Sequence, residues 1–134
     1  MHIAEGADIL AQHTDSPAML QIAEKKGALG FGQSTDMSAF APKAQLFASV
    51  NNWGPYYIRK IKELKSGKWN TGDGPDHWAG NDWGGLKADM LIISKFQNMP
   101  SGVAQKAQEA LDNVKSGKIN ICLLYTSPSP RDGR

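Results

Sequence analysis

Gly6-Ala7-Asp8-Ile9-Leu10-Ala11-Gln12-His13-Thr14-Asp15-Ser16-Pro17-Ala18 decides how the rest of the chain is read. Its first half, residues 7–12, is short and mostly apolar. That is the pattern of a strand buried on both faces, as in a parallel sheet. Its second half is a polar cluster closed by a proline. Asp15 or Ser16 suits a helix N-cap, and Pro17 suits the first turn, where its missing N–H has no partner anyway. Met19, Ile22 and Ala23 then recur at helical spacing. Lys25 and Lys26 place cations where the helix dipole favours them, and Gly27 offers a left-handed stop.

The same grammar continues outward. Residues 28–32 read as a second short strand, followed by the polar turn Gln33-Ser34-Thr35-Asp36. The stretch through Pro42 has no period and reads as loop. Residues 45–50 form a third strand, ending in Asn51-Asn52-Trp53-Gly54. Pro55 opens a helix with Tyr57, Ile58, Ile61 and Leu64 on one face, stopped at Ser66-Gly67. Residues 69–85 carry glycines, aspartates and Trp69, Trp78 and Trp83 without periodicity, a long loop of the kind that often has a function. Met90-Leu91-Ile92-Ile93 predicts a fourth strand. Ser101 caps a last helix with Val103, Ala107, Ala110, Leu111 and Val114 on one face. Ile119-Asn120-Ile121 begins a fifth strand. Strands joined by short turns to helices predict an α/β lobe with a parallel sheet.

Composition narrows the function. The chain has 134 residues and a formal net charge of +2, with no clustered basic stretch of the kind nucleic-acid binding requires. No run is long and apolar enough to span a membrane as a helix. His2, His13 and His77 lack metal-ligand spacing, and Asp73, Asp76 and Asp82 lack the order of a calcium loop. No Gly-rich phosphate fingerprint follows the first strand, and no serine or cysteine nucleophile stands in a recognisable setting. The residues therefore point to binding rather than catalysis, with no cofactor and no metal.

In open α/β sheets, ligands bind beyond the carboxyl ends of the strands. Three such ends are polar here: His13 to Ser16, Gln33 to Asp36, and Asn51 to Trp53. Two lead into helix N-termini, whose free N–H groups and dipole favour an acceptor. Helix capping alone accounts for such residues equally well. Thr14, Asp15, Ser34, Asp36, Asn52 and Trp53 are the candidate ligand-binding residues. The carboxylates and amide would orient a solute, and the indole would stack on it.

These same blocks carry a resemblance. Residues 6–18, Phe31-Gly32-Gln33-Ser34-Thr35-Asp36-Met37, Asn52-Trp53-Gly54-Pro55-Tyr56-Tyr57 and Trp83-Gly84-Gly85-Leu86-Lys87 resemble, in order, the basic membrane protein family of ABC-transporter substrate-binding lipoproteins. The resemblance implies a type I periplasmic-binding fold, in which two Rossmann-like α/β lobes close on a solute. It implies a purine nucleoside or base as solute and an ABC permease in the membrane as partner. It further implies a monomeric, non-enzymatic protein, held outside the cytoplasm by a lipid anchor. Many relatives carry an aspartate where Ser34 stands and some carry a lysine near Asn52; without these charges the resemblance leaves a base or another small polar solute open beside the nucleoside. A ligand-sensing domain of a regulator with the same fold is the alternative.

Cys122-Leu123-Leu124-Tyr125-Thr126-Ser127-Pro128-Ser129-Pro130-Arg131-Asp132 resembles one reading frame of a sequencing-library adaptor. On that reading, residues 122–134 are a disordered tail foreign to the fold. Residues 1–121 are then a partial C-terminal lobe, and its sheet has an unpaired edge.

Overall fold

The computed structural model describes residues 2–67 and 84–119. The expected tryptophan-rich loop up to Trp83, with Asp73, Asp76, His77 and Asp82, lies outside them. So do Asn120, Ile121 and the tail with Cys122.

The described residues form an α/β lobe around a mostly parallel four-stranded sheet. The strands are β1 (Ile9–Leu10), β2 (Leu29–Ser34), β3 (Gln45–Asn51) and β4 (Leu91–Ile93). Their spatial order follows the chain, β1-β2-β3-β4. The helices are α1 (Ala18–Lys26), α2 (Gly54–Lys65) and α3 (Ser101–Lys115), with short 3-10 turns at His2–Glu5 and Leu86–Ala88.

β1 is shorter and less enclosed than its apolar run predicts. Only Ile9 and Leu10 pair, with Leu29 and Gly30, and Ile9 is 48% exposed because the strand lies at the sheet edge. β2 runs on through Gln33 and Ser34, two residues into the expected turn, because both pair with β3. β4 departs from the parallel expectation. It pairs antiparallel with β3, Asn51 facing Leu91 and Ser49 facing Ile93. A three-residue apolar run has no intrinsic direction, so the preceding turn sets it.

α1 stops at Gly27, whose φ of 72° suits a residue without Cβ. The N–H of Ala28 then donates to the Ala23 carbonyl at 2.9 Å, the six-to-one bond of a Schellman end. The buried side of α1 is Leu20 and Ala23, not Ile22, which is 40% exposed. Leu20 packs with Ala28, Met37, Ala41 and Ala44, all at most 5% exposed. The core therefore lies between α1 and residues 35–44, the crossover from β2 to β3. That crossover is loop, as its sequence predicts, yet it is packed like a helix would be.

The opposite sheet face carries Phe31, Phe47 and Phe96, with Phe47 tilted against Phe31 at a centroid distance of 4.7 Å and edge-on to Phe96 at 5.4 Å. Tyr57, Ile58, Ile61 and Leu64 of α2 are each more than half exposed. Their stripe, expected to face a core, meets no covering element among the described residues. The last helix begins at Ser101 with Pro100 before it, and Ile119 lies in a bend.

Candidate functional site at the sheet edge

Parallel pairing sends the C-terminal ends of β1, β2 and β3 to one edge of the sheet. Residues 11–17, 35–44 and 52–53 leave from that edge. Because β4 is antiparallel, its beginning reaches the same edge, and the turn of residues 85–90 arrives there too. Sequence patterning marked three segments at this edge; the fold supplies four.

The first connection separates two roles that the sequence left open. Neither Asp15 nor Ser16 is the N-cap of α1: Pro17 holds that position with no side-chain cap bond, and Ser16 Oγ accepts the Ala18 N–H at 3.3 Å from one residue further out. The Asp15 side chain is exposed and takes no hydrogen bond or ion pair among the described residues. Thr14 Oγ1 donates to Gln12 Oε1 at 3.1 Å, and Gln12 Nε2 points at the Met37 sulfur at 3.4 Å. The first connection is thereby tied to the second. Beside it, between β1 and α1, lies an apolar cavity of about 430 Å³ bordered by Leu10, Met19, Ile22, Thr14 and Ser16.

The second connection begins with Ser34 in the left-handed region, φ 66°, opposite Val50 at the end of the ladder. For a serine that backbone is unfavourable by roughly 1–2 kcal/mol, so its surroundings must hold it. Asp36 then turns back over the sheet. Its Oδ1 accepts the Ser38 N–H at 2.9 Å and the Gln45 side-chain amide at 2.7 Å. Gln45 Oε1 accepts the Met37 N–H at 2.9 Å. Burial disfavours the charged form of Asp36, but the Ser38 N–H, the Gln45 amide and the Ser38 hydroxyl outweigh it and hold the carboxyl below its ordinary value.

The third connection is held from the fourth. Asn52 N–H donates to the Met90 carbonyl at 2.9 Å, and Asn52 Nδ2 donates to the Asp89 carbonyl at 2.7 Å. Asp89 itself is left-handed, φ 52°. Trp53 is 54% exposed and precedes α2, with Tyr56 and Tyr57 at centroid distances of 6.2 and 6.3 Å. These rings make an open aromatic platform.

The six candidate residues all lie on connections at this edge, but in two groups. Asp36 and Asn52 are engaged in holding turns, and Thr14 is bonded to Gln12. Asp15, Ser34 and Trp53 have no side-chain hydrogen bond among the described residues. Gln45 was not marked by any pattern; its one signal is an amide heading an apolar run. Lys87, in the 3-10 turn of Leu86–Ala88, adds a cation to the connection preceding β4. Among the described residues no group of three or more His, Cys, Asp or Glu could hold a metal. No helix among them is long and apolar enough to cross a membrane.

No family model matches the chain. Over 118 residues it is 42% identical to a purine-binding protein of Brucella abortus, covering 88% of this chain and 31% of that protein. It is 25% identical over 120 residues to a protein of Haloferax volcanii named as an ABC transporter glucose-binding protein, covering 89% of this chain and 29% of the other. The chain thus spans about a third of the length of these curated relatives, both named as solute-binding proteins. Among solved structures, a transcriptional activator of the comK gene from Bacillus halodurans superposes with a TM-score of 0.71 at 15% identity, over 90% of this chain and 41% of that one. That likeness shows the fold alone.

Proposed function

We propose that this chain supplies one wall of a solute cleft in a two-lobed binding protein, and that the solute is a purine base or nucleoside. The observation that carries the reading is the gathering of four connections at one sheet edge, three of them with an unengaged polar or aromatic side chain. The similarity to a purine-binding protein, spread over 88% of the chain, supplies the solute class. Trp53 stacks on the ring. The Asp15 carboxylate accepts a ring or exocyclic N–H, and the hydroxyls of Thr14 and Ser34 complete the orientation. Asp36 and Asn52 shape the wall by fixing its turns. A serine at position 34 in place of a carboxylate favours a base over a ribose.

In this account the solute bridges two lobes and shifts an open–closed equilibrium by hinge motion. The closed form delivers it to an ABC permease, and the protein acts outside the cytoplasm on a lipid anchor. Energy for transport comes from the partner ATPase, so the chain itself does no chemistry.

Calorimetric titration of the full-length protein with adenine, guanine, adenosine, guanosine and glucose tests the reading. A purine should bind, and Trp53→Ala should weaken it by roughly 5- to 150-fold, the equivalent of about 1–3 kcal/mol of lost stacking. Uptake of glucose with no purine binding would overturn the solute class. Fold alone does not separate this reading from its alternative, a ligand-sensing domain of a regulator. A purine-dependent change in DNA binding by the full-length protein would favour it over transport.

A further inference from the structure

We propose that Gln45 is the positioning residue of the cleft wall, acting through Asp36 and the Met37 backbone to hold Ser34 in its left-handed turn. The inference rests on the solute-binding reading and adds to it a residue at the far end of β3 from the candidate site. Gln45 is 1% exposed, the one polar side chain buried among the described residues. Both ends of its amide are used, Oε1 by the Met37 N–H and Nε2 by Asp36 Oδ1. One planar group therefore sets a backbone position and a carboxylate orientation together.

Two features of the sheet are built around it. First, the β2–β3 register shifts between Gly30 and Phe31, so that Gln45 faces Gly30 while Phe47 faces Phe31. Strict alternation would put Gln45 on the same sheet face as Phe47. The bulge turns it toward the crossover instead, the re-aiming that bulges perform. Second, Gly32 leaves room for it. A Cβ there would lie 2.9 Å from Gln45 Oε1 and 2.7 Å from the Ala48 Cβ. The crossover then closes over the amide, with Met37 fully buried beneath it.

From this follows a division of labour. Asp36 acts by accepting hydrogen bonds from Ser38 and Gln45 within the lobe, and the solute meets Ser34. An asparagine at position 36 keeps an oxygen for the Ser38 N–H and the Gln45 amide, and loses the charge and one acceptor oxygen.

The test uses the full-length protein and two readouts. Hydrogen exchange of the segment 34–38 reports the clamp, and adenine titration reports the wall. In Asp36→Asn, both should stay within about threefold of wild type. In Asp36→Ala and in Gln45→Met, exchange should speed up and adenine affinity fall, each by about tenfold or more. Should Asp36→Asn lose as much affinity as Asp36→Ala, the carboxylate touches the solute and the proposal is overturned. Unchanged exchange and affinity in Gln45→Met would overturn it equally. If the wild type binds no adenine, exchange alone decides the clamp, and that outcome counts against the purine reading rather than against Gln45. Should Gln45→Met fail to fold, the comparison of the two Asp36 variants still decides.

Discussion

Met37→Ala should be among the most damaging single substitutions in the crossover, although residues 35–44 contain no helix or strand. Met37 is 0% exposed and sits in the cluster with Leu20, Ala23, Ala28, Ala41 and Ala44. Truncation removes Cγ, Sδ and Cε from a site whose neighbours are mostly alanines on fixed backbone, which are poorly able to collapse into the space. The expected cost is about 2–5 kcal/mol, toward the upper end because the cavity persists. The sulfur contact to Gln12 Nε2 at 3.4 Å is lost as well, which loosens the tie between the first two connections. Phe40→Ala is the control. It removes a larger side chain three residues away, but Phe40 is 57% exposed, so the change should stay within about 0.5 kcal/mol. Urea unfolding of both variants, followed by far-ultraviolet circular dichroism, separates them. With a slope of about 1–3 kcal/mol per molar, the Met37→Ala midpoint should fall by about 1 M or more while Phe40→Ala stays near wild type. Equal midpoints for the two variants would refute the packed crossover.

Two further outcomes follow. Gly32→Ala drives a methyl group into the Ala48 Cβ and the Gln45 amide, so it should cost about 1–3 kcal/mol in the same assay, where most glycine-to-alanine changes in a strand would be neutral or helpful. A neutral result would mean that the backbone yields there easily. The Asp36 carboxyl titrates below its unfolded value, so its contribution is complete above about pH 4 and disappears as pH falls through the folded value. The stability advantage of wild type over Asp36→Asn should therefore exist at neutral pH and vanish in acid; an advantage independent of pH would rule out the charge as its source.

The parts of this lobe that were legible in the sequence are those fixed by local chemistry. Gly27 ends α1 because a left-handed residue is needed there, and Pro55 opens α2 because its missing N–H is harmless in the first turn. The bounds of β3 follow from its apolar run. What was not legible depends on distant partners. Leu91-Ile92-Ile93 reads as a strand in either direction. The apolar stripe of α2 predicts burial, yet at 54–62% exposure Ile61 and Leu64 show that a stripe does not name its cover. Asp36 illustrates the limit at the site. An aspartate after a strand reads as a ligand group or a cap with equal ease, and only the amide of Gln45, nine positions on, tells them apart. Asp15 is the reverse case: Ser16 takes the first helical N–H, and the carboxylate is left to face solvent.

The central claim is the location of the solute, and photoaffinity labelling tests it most directly. The full-length protein, irradiated with 8-azidoadenine and digested, should carry the adduct on peptides containing Asp15, Ser34 or Trp53, and excess adenine should suppress it. An adenine-protected adduct confined to the outer stripe of α2, or to α3, would contradict a cleft at this edge of the sheet.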